Sequence, residues 1–273
     1  MIRSLLKLAE IQTKLASQLP LLLGTLYAIY AFDDFKIHNF IFMFLSLLSF
    51  DMATTVTNNY YDFKRAVKKS GYGYEVHNAI VRDNLSQRTV LIFLISLLII
   101  ATTFGILLYL NTSIIVLLLG IFSFGIGIIY SFGPVPISRT PLGELFSGGV
   151  MGLIIPFLSV YIHIYDRNYI NLQYANGLLG FDVNAWFIIS IFLLGIPPML
   201  TIANIMLANN ICDMEEDIVN KRYTLPIHIG KDKALALYKI LYYCIYLSII
   251  LASILKIFLY TSLLTLLTFL KVN

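Results

Sequence analysis

Residues 88–110 read RTVLIFLISLLIIATTFGILLYL, and after Arg88 this stretch contains no charged side chain. A helix rises about 1.5 Å per residue, so a run of this length is long enough to cross the roughly 30 Å hydrocarbon core of a bilayer. No water is available there to satisfy backbone polar groups, and a helix satisfies them internally. The stretch therefore predicts a transmembrane helix.

Similar apolar stretches occur on both sides of this one. Together they predict eight spans, near residues 15–32, 38–62, 88–110, 113–130, 143–164, 185–210, 233–255 and 257–270. The chain is 59% hydrophobic and 12% charged, whereas soluble domains carry about 25% charged residues. Its unbroken Leu, Ile and Phe runs lack the alternation of a β-barrel. We expect a single all-α integral membrane domain over residues 1–273, a bundle of about eight transmembrane helices around a central cavity.

Positive charge is distributed unevenly between the two ends of these spans. Of the 19 Lys and Arg residues, all but Lys36, Arg167 and Lys256 lie at the ends that also carry both termini. Because cytoplasmic loops are enriched in Lys and Arg, we expect a multi-pass protein of the cell (plasma) membrane. Both termini and the loops after spans 2, 4 and 6 would then be cytoplasmic. The same bias accounts for the net charge of +4, so no nucleic-acid partner is expected.

Two similar polar clusters lie at the ends of spans 2 and 6. The first reads NNYYD (residues 58–62), and the second reads NNICD (residues 209–213) and is followed by Asp217. Such side chains are costly to desolvate in a membrane unless a cavity, a partner or a cation receives them. Spacings of four place them on single helix faces. Carboxylate and amide oxygens suit Mg²⁺, which substrate phosphates usually complete. The predicted ligands are Asn58, Asp62, Asn209, Asp213 and Asp217.

Basic residues near the clusters predict a partner with phosphate groups, because Lys and Arg neutralise phosphate oxygens. The candidates are Lys64, Lys68, Arg82, Lys221, Arg222 and Lys14, the last of which is equally suited to membrane anchoring. An apolar tail would lie among the Leu, Phe and Tyr side chains of the bundle. A polyprenyl diphosphate has this shape and polarity.

These clusters resemble the motifs of the UbiA superfamily of intramembrane prenyltransferases, in particular its 1,4-dihydroxy-2-naphthoate polyprenyltransferase branch. The likeness runs from about Lys14 to Gly230. The motifs that carry it are NNYYDFK (58–64), YSFGPVP (130–136) with LGE (142–144), NNICDMEED (209–217) and KRYTLP (221–226). The chain departs from the superfamily at Asn59 and Ala66, where aspartates are frequent. Its eight predicted spans are one fewer than the nine that the family usually has.

The resemblance implies a Mg²⁺-dependent enzyme that transfers a prenyl group to an aromatic acceptor. In this chemistry the allylic C–O bond of the diphosphate ionises, and the acceptor attacks the carbocation. In the naphthoate branch the attacked carbon loses CO₂, giving demethylmenaquinone in menaquinone biosynthesis. The implied catalytic residues are Asp62, Asp213, Asp217 and Tyr130, whose aromatic face would stabilise the cation. Residues 63–88 would act as a lid that excludes water.

Three alternatives remain open at this point. In the first, the protein is the same kind of enzyme but its acceptor is 4-hydroxybenzoate or another phenol. In the second, it is an ion-coupled secondary transporter that uses Asp51, Asp62 and Asp213. In the third, it is a shortened, inactive relative of the family. Two acidic residues also have more than one interpretation. Asp51 pairs with a neighbour, stays protonated or contacts the acceptor, and Glu144 either caps a helix or recognises the acceptor.

Overall fold

The computed structural model describes residues 1–65, 79–175 and 178–271, and nearly all of them are helical. Seven helices within these ranges are long and apolar enough to cross a membrane. In chain order they are α1 (Leu15–Phe32), α2 (Ile37–Arg65), α3 (Gln87–Leu110), α4 (Ile114–Ser131), α5 (Gly143–Arg167), α6 (Ala185–Cys212) and α7 (Lys231–Ile254). The all-α membrane bundle predicted from the sequence is confirmed.

Short helices gather at one end of the bundle. They are Ile2–Leu8, Ile11–Lys14, Ala79–Arg82, Ile137–Arg139, Met214–Val219 and Leu225–Ile229. Contacts between distant segments hold this end together: Asn59 of α2 donates to the Leu8 carbonyl at 2.9 Å, and the Tyr223 amide donates to the Arg139 carbonyl at 3.1 Å. We call this the site end. The connections from α4 to α5 and from α6 to α7 lie there, as do residues 79–86, the described part of the connection from α2 to α3.

The outer faces of the spans are apolar. On α3, Ile92, Ile95 and Ile99 are 59%, 54% and 61% exposed, and their spacing places them on one helix face. A contiguous apolar surface of this kind is unfavourable in water and favourable against lipid. The outward face of α3 therefore consists of large aliphatic side chains suited to contact with lipid.

The closest backbone approach in the interior is between α5 and α6. A Cβ atom on Gly148 would lie 2.7 Å from the Met199 carbonyl oxygen, one on Gly195 would lie 2.8 Å from the Gly152 carbonyl oxygen, and one on Gly152 would overlap the Met199 backbone. Glycines permit this approach because they carry no side chain. Within α5, Val150–Ile154 form a π-helical turn, and such turns often occur near functional sites.

The eighth predicted span differs from the prediction. Residues 257–270 do not form a long α-helix; after α7 the chain turns and forms a 3₁₀-helix, Tyr260–Lys271. Hydroxyl groups explain the difference, because Thr265 and Thr268 donate to carbonyls three residues earlier, a local bond that competes with α-helical hydrogen bonding. Ser262 and Thr268 also contact Ser253 and Tyr246 of α7 at 2.9 Å. The segment therefore folds back along α7.

A β-hairpin between α5 and α6 was not predicted. Strands β1 (Ile170–Ala175) and β2 (Leu178–Val183) pair antiparallel, with Ile170 opposite Val183 and Leu172 opposite Phe181. It lies at the end of the bundle opposite the site end, near an ion pair of 2.7 Å between Lys36 and Asp166. The strands are six residues each, too short to stand out between two long apolar spans.

The glycine contacts of α5 predict a difference between two substitutions in one helix. Gly152→Ala places a methyl group against the Met199 backbone, and we expect it to lower the free energy of unfolding by about 1–3 kcal/mol, the usual cost of overpacking. Gly149→Ala is the matched control, since its Cβ would meet nothing within 4 Å. Thermal unfolding of the purified variants measures both effects. Equal midpoints for the two variants would contradict the packing described here.

Candidate active site

An open cavity of about 220 Å³ lies at the site end of the bundle. Its walls come from the start of the chain, from α2, from the end of α4 with the loop that follows, and from the segment after α6. The lining residues are Glu10, Thr55, Asn58, Asn59, Tyr61, Asp62, Ser131, Pro136, Ser138, Arg139 and Arg222. The first polar cluster therefore faces a polar hollow rather than lipid.

Asp62 is one of two acidic residues that line this cavity, the other being Glu10, and two arginines contact it. Arg139 approaches one carboxylate oxygen at 2.7 Å, and Arg222 approaches the other at 3.9 Å. The Asp62 side chain is 40% exposed, so the closer contact is a hydrogen-bonded ion pair that still touches solvent. Charge-assisted bonds of this length are the strong ones.

Arg222 also contacts Asp217 of the second cluster. Its Nε atom lies 3.2 Å from Asp217 Oδ1, its backbone amide donates to the Asp217 carbonyl, and Thr224 donates to Asp217 Oδ2 at 3.2 Å. Asp217 is only 3% exposed. Burial raises the pKa of this carboxyl above its usual value, while the Arg222 guanidinium opposes that shift. Because an unpaired buried carboxylate is costly, the position of Arg222 is set largely by Asp217.

Arg222 thus joins the two polar clusters, which are far apart in the chain. One guanidinium group contacts Asp62 at the end of α2 and Asp217 after the end of α6. These contacts bring Asp62 and Asp217 of the two motifs to one guanidinium group, and the shared metal site stays a prediction. The contact runs through a shared cation, and no group of three or more His, Cys, Asp or Glu side chains in the described ranges is arranged to hold a metal ion.

A comparison of the chain with models of protein families matches the model described as "UbiA prenyltransferase family" over residues 18–273. The chain belongs to the UbiA prenyltransferase family. Among curated relatives of this family, the 1,4-dihydroxy-2-naphthoate octaprenyltransferase of Bacillus subtilis (strain 168) is 33% identical over 231 residues. These residues cover 85% of this chain and 67% of that protein.

Solved structures of UbiA proteins share the fold. A UbiA homolog from Archaeoglobus fulgidus bound to GPP and Mg²⁺ has a TM-score of 0.63 at 16% identity, covering 92% of this chain and 78% of the other. A digeranylgeranylglyceryl phosphate synthase has a TM-score of 0.61 at 17% identity, covering 94% and 79%. At these identities the likeness concerns the fold.

The remaining predicted metal ligands occupy different places in this UbiA fold. Asn58 lies on the cavity wall next to Asp62. Asn209 and Asp213 are exposed and are absent from the wall, although Asp213 is close enough to Asp217 to raise the pKa of that buried carboxyl. At the end of α6 it is Asn210, not Asn209, that points into the protein. Of the predicted ligands, Asn58 and Asp62 therefore line the cavity, whereas Asn209 and Asp213 face outward.

Most of the predicted basic residues lie away from the cavity. Lys14 is buried and donates to Asp51 Oδ1 at 2.9 Å and to Thr55 at 2.6 Å. Lys64 lies over the Tyr60 ring, and Arg82 pairs with Asp83 at 2.8 Å. Lys221 is exposed. Lys68 and half of the predicted lid (residues 63–88) fall within residues 66–78, outside the described residues. Of the predicted diphosphate-binding residues that the structure describes, Arg222 is the one on the cavity wall.

Lys14 reaches Asp51 because the chain before α1 packs against α2. Asp51 receives a second hydrogen bond, from Ser17 of α1 at 2.5 Å. Pairing with a neighbour was one of the interpretations of Asp51 left open by the sequence, and it is the one seen in the structure. The lysine is committed to this buried pair, which ties α1 to α2 directly below the cavity wall at Thr55.

Two residues of the cavity were missed by sequence reasoning. Arg139, after the irregular 130–136 segment, makes the shortest ion pair to Asp62. Glu10, before α1, accepts a hydrogen bond from Asn59 at 3.1 Å. For Arg139 a signal exists, because it follows a Gly- and Pro-rich stretch that cannot remain helical and so must lie near the bundle end. Glu10 carries no such signal, since its position depends on how the N-terminal helix folds over α2.

The two arginines are expected to differ in their importance for stability. Arg222→Ala leaves Asp217 buried without its cation, so we expect a loss of about 3 kcal/mol in the free energy of unfolding. Arg139→Ala removes a partner of the more exposed Asp62 and is expected to cost about 1 kcal/mol or less. Thermal or denaturant unfolding of both variants measures the difference.

The pH dependence of the Arg222 variant supplies a further check on the same prediction. When folding raises the pKa of a carboxyl, burying that carboxyl costs least free energy while it is protonated. The cost increases as the pH rises towards the folded-state pKa and the buried group becomes charged. The Arg222→Ala penalty is therefore expected to be smaller at pH 5 than at pH 8. A penalty independent of pH would show that Asp217 does not titrate in the folded protein.

Proposed function

We propose that this UbiA protein transfers a polyprenyl group from polyprenyl diphosphate to 1,4-dihydroxy-2-naphthoate, with loss of CO₂, giving the reduced (quinol) form of demethylmenaquinone in menaquinone biosynthesis. The observation that carries this is the single cavity at which Asp62 of the first motif and Arg222, itself paired to Asp217 of the second motif, come together. Acidic and basic groups facing each other across one hollow suit a ligand that carries both phosphate oxygens and a metal ion.

The identity of the acceptor is supported by sequence similarity. The Bacillus subtilis relative, at 33% identity, is a 1,4-dihydroxy-2-naphthoate octaprenyltransferase. Residues that line the diphosphate cavity serve any aromatic acceptor equally well, so the acceptor preference is the part of the proposal that an assay must decide. The same proposal places the protein in the cell membrane with the site end towards the cytoplasm, where the Lys and Arg residues concentrate.

We propose that a magnesium ion binds at this cavity and that the substrate completes its coordination sphere. Asp62 and Asn58 offer hard oxygen ligands on one wall, and Asp213 and Asp217 follow on the neighbouring segment. A site with few protein carboxylates suits Mg²⁺ because this ion keeps several waters or phosphate oxygens in its coordination sphere. A related UbiA homolog from Archaeoglobus fulgidus was solved bound to GPP and Mg²⁺. When bound, Mg²⁺ would stabilise negative charge on the departing diphosphate.

The arginines of the cavity would bind the diphosphate directly. Arg139 and Arg222 hold Asp62 in the ligand-free protein, and a diphosphate entering the cavity offers them a more highly charged partner. Guanidinium groups suit phosphate oxygens because they present parallel N–H donors. Transfer of Arg139 from Asp62 to the phosphate would free carboxylate oxygens of Asp62 for the ion.

Prenyl transfer then requires a stabilised allylic cation and a dry surrounding. As the C–O bond of the prenyl diphosphate breaks, its electron pair leaves with the diphosphate, and positive charge develops on the allylic carbon. The Tyr130 ring, half-buried at the end of α4, would stabilise this charge with its aromatic face. The electron-rich ring of the acceptor forms the new C–C bond to that carbon.

The carboxylates of the two acidic motifs are expected to be required for turnover, Asp62 on the cavity wall and Asp213 on the segment after α6. Asp62→Asn and Asp213→Asn remove charge at nearly constant shape, and we expect each to lower kcat by at least about 10²-fold. Asp33→Asn is the matched control, because Asp33 ends α1 at the opposite end of the bundle with a left-handed backbone that Asn also adopts. Diphosphate release by the purified variants measures the effect. Full activity of Asp62→Asn would remove the metal site from the proposal.

The acceptor is tested by competition. Purified protein with a prenyl diphosphate and equal amounts of 1,4-dihydroxy-2-naphthoate and 4-hydroxybenzoate is expected to prenylate the naphthoate preferentially and to release CO₂. Chelation of divalent ions should stop the reaction, and added Mg²⁺ should restore it. Preference for 4-hydroxybenzoate would change the acceptor, and absence of diphosphate release with any aromatic acceptor would reject the function. Ion-coupled solute flux without turnover would favour the transporter.

A further inference from the structure

Two buried polar atoms of α5 have no hydrogen-bond partner among the described residues. They are Glu144 Oε2 and Ser147 Oγ, and they lie three residues apart on one helix, so they share a face. Glu144 is 6% exposed. Buried polar atoms almost always have partners, because leaving one unpaired costs about 1–3 kcal/mol. Two such atoms on one face indicate a place where a polar ligand supplies the missing partners.

The other oxygen of Glu144 is held by the second motif. Asn210 of α6 is 5% exposed and donates from Nδ2 to Glu144 Oε1 at 2.8 Å. The close approach of α5 and α6 at Gly148 and Gly152 makes this contact possible. The carboxylate is therefore oriented by one hydrogen bond, while its second oxygen stays free to accept another.

Tyr130 lies near both this carboxylate and Arg222 of the cavity wall. A Cβ atom on Gly143 would be 3.7 Å from the Tyr130 hydroxyl oxygen, so the phenol end lies over the start of α5. Tyr130 interacts electrostatically with both Glu144 and Arg222, and Arg222 is on the cavity wall. The unpaired oxygen of Glu144 is thus next to the site where the allylic cation would form.

A purely structural role accounts poorly for this carboxylate. A Gln at position 144 would make the same hydrogen bond with Asn210 without the desolvation cost of a charge. The helix contact itself depends on glycine packing and not on the acid. What a carboxylate adds is the capacity to accept a proton from a bound hydroxyl group.

We propose that Glu144 is the catalytic base for the aromatic acceptor, and that Glu144 Oε2 and Ser147 Oγ bind the acceptor's ring hydroxyl groups. This rests on the proposed function, which supplies an acceptor with two such hydroxyls. The acceptor would lie against α5, with its ring facing the allylic carbon near Tyr130.

The proton and electron balance of this step is closed without further reactants. Glu144 Oε2 takes the proton of the ring hydroxyl next to the carboxylate-bearing carbon, and the O–H electron pair moves into the ring. That carbon forms a bond to the allylic carbon while the C–O bond to the diphosphate breaks towards the diphosphate. The resulting ketone loses CO₂, the electron pair of the broken C–C bond returns to the ring oxygen, and Glu144 returns the proton to it.

Entry of the acceptor requires Tyr130 to move. Glu144 Oε2 is covered in the ligand-free protein, and Tyr130 is the neighbouring side chain on the cavity side. Its hydroxyl is held weakly, by a 3.8 Å contact with the Met206 sulfur, because a thioether is a poor acceptor. Rotation of this half-buried ring would therefore cost little in hydrogen bonding.

The experiment compares Glu144→Gln with wild type in steady-state assays of the full-length protein, varying acceptor and prenyl diphosphate in turn. Gln keeps the shape and the bond to Asn210 and cannot take the proton. We expect kcat/KM for 1,4-dihydroxy-2-naphthoate to fall by about 10²-fold or more, with an unchanged thermal midpoint. The KM for prenyl diphosphate is expected to stay within about twofold, since Glu144 does not touch that cavity. For Ser147→Ala we expect kcat/KM for the acceptor to fall by about 3- to 10-fold, because this variant loses one hydrogen bond to the acceptor.

The control is Asp33→Asn, the same loss of one carboxylate charge at the opposite end of the bundle, which is expected to behave as wild type. If Glu144 is the base, the loss of kcat/KM in Glu144→Gln should also become smaller when ring halogenation makes the acceptor hydroxyl more acidic. A structural role would leave that defect constant. Wild-type kcat/KM in Glu144→Gln, a constant defect, or an equal loss of prenyl diphosphate affinity would each overturn the proposal.

A wild-type measurement keeps the test valid if Glu144→Gln does not fold. Two methyl ethers of the acceptor, each blocked at one of the ring hydroxyls, are compared with the parent compound. We expect no turnover of the ether that is methylated at the hydroxyl next to the carboxylate-bearing carbon, because it has no proton to donate there. Turnover of both ethers at the parent rate would reject Glu144 as a base while leaving prenyl transfer itself established. Failure of the wild type with every aromatic acceptor would instead reject the function from which this inference starts.

Discussion

One arginine shared between two carboxylates sets the geometry of the site end. Asp217 is buried and needs a cation, and Arg222 supplies it at 3.2 Å while reaching towards Asp62. Because the cost of an unpaired buried charge exceeds that of most surface contacts, this pair determines where the segment after α6 lies relative to the end of α2. The cavity between them is a consequence of that constraint, and so is the position of Arg139 against the other side of Asp62.

Close packing of α5 against α6 supports the polar groups at the site end of the bundle. The glycines of α5 and α6 bring the two backbones into contact, and the π-helical turn Val150–Ile154 lies within the contact. The same approach brings Asn210 against Glu144, one helical turn before Asp213. In a membrane the interior of a bundle has no strong hydrophobic driving force, so close van der Waals contact and interhelical hydrogen bonds carry the association. Both are present at this interface, and both lie directly below the site.

Much of the fold and part of the site follow from local sequence. The spans, the two acidic motifs and the irregular 130–143 segment are properties of hydropathy, spacing and proline content, and family membership agrees with the motifs. Other features were not predicted from the sequence. The hairpin formed by β1 and β2 is short, and the segment after α7 is a 3₁₀-helix because its hydroxyl groups make local hydrogen bonds. Lys14 forms an ion pair with Asp51. Each depends on a contact that sequence spacing alone does not specify.

The sequence by itself determined that this is a helical membrane protein with two Asn-Asn-x-x-Asp motifs at helix ends, because charge exclusion from lipid and helical periodicity act locally. Only the tertiary structure decided which polar groups meet. It placed Arg139 and Arg222 at Asp62, left Lys64 and Lys221 at a distance, and turned Asn210 rather than Asn209 inward. The physical reason is that pairing between distant residues depends on how helix ends converge, and convergence is set by packing across the bundle.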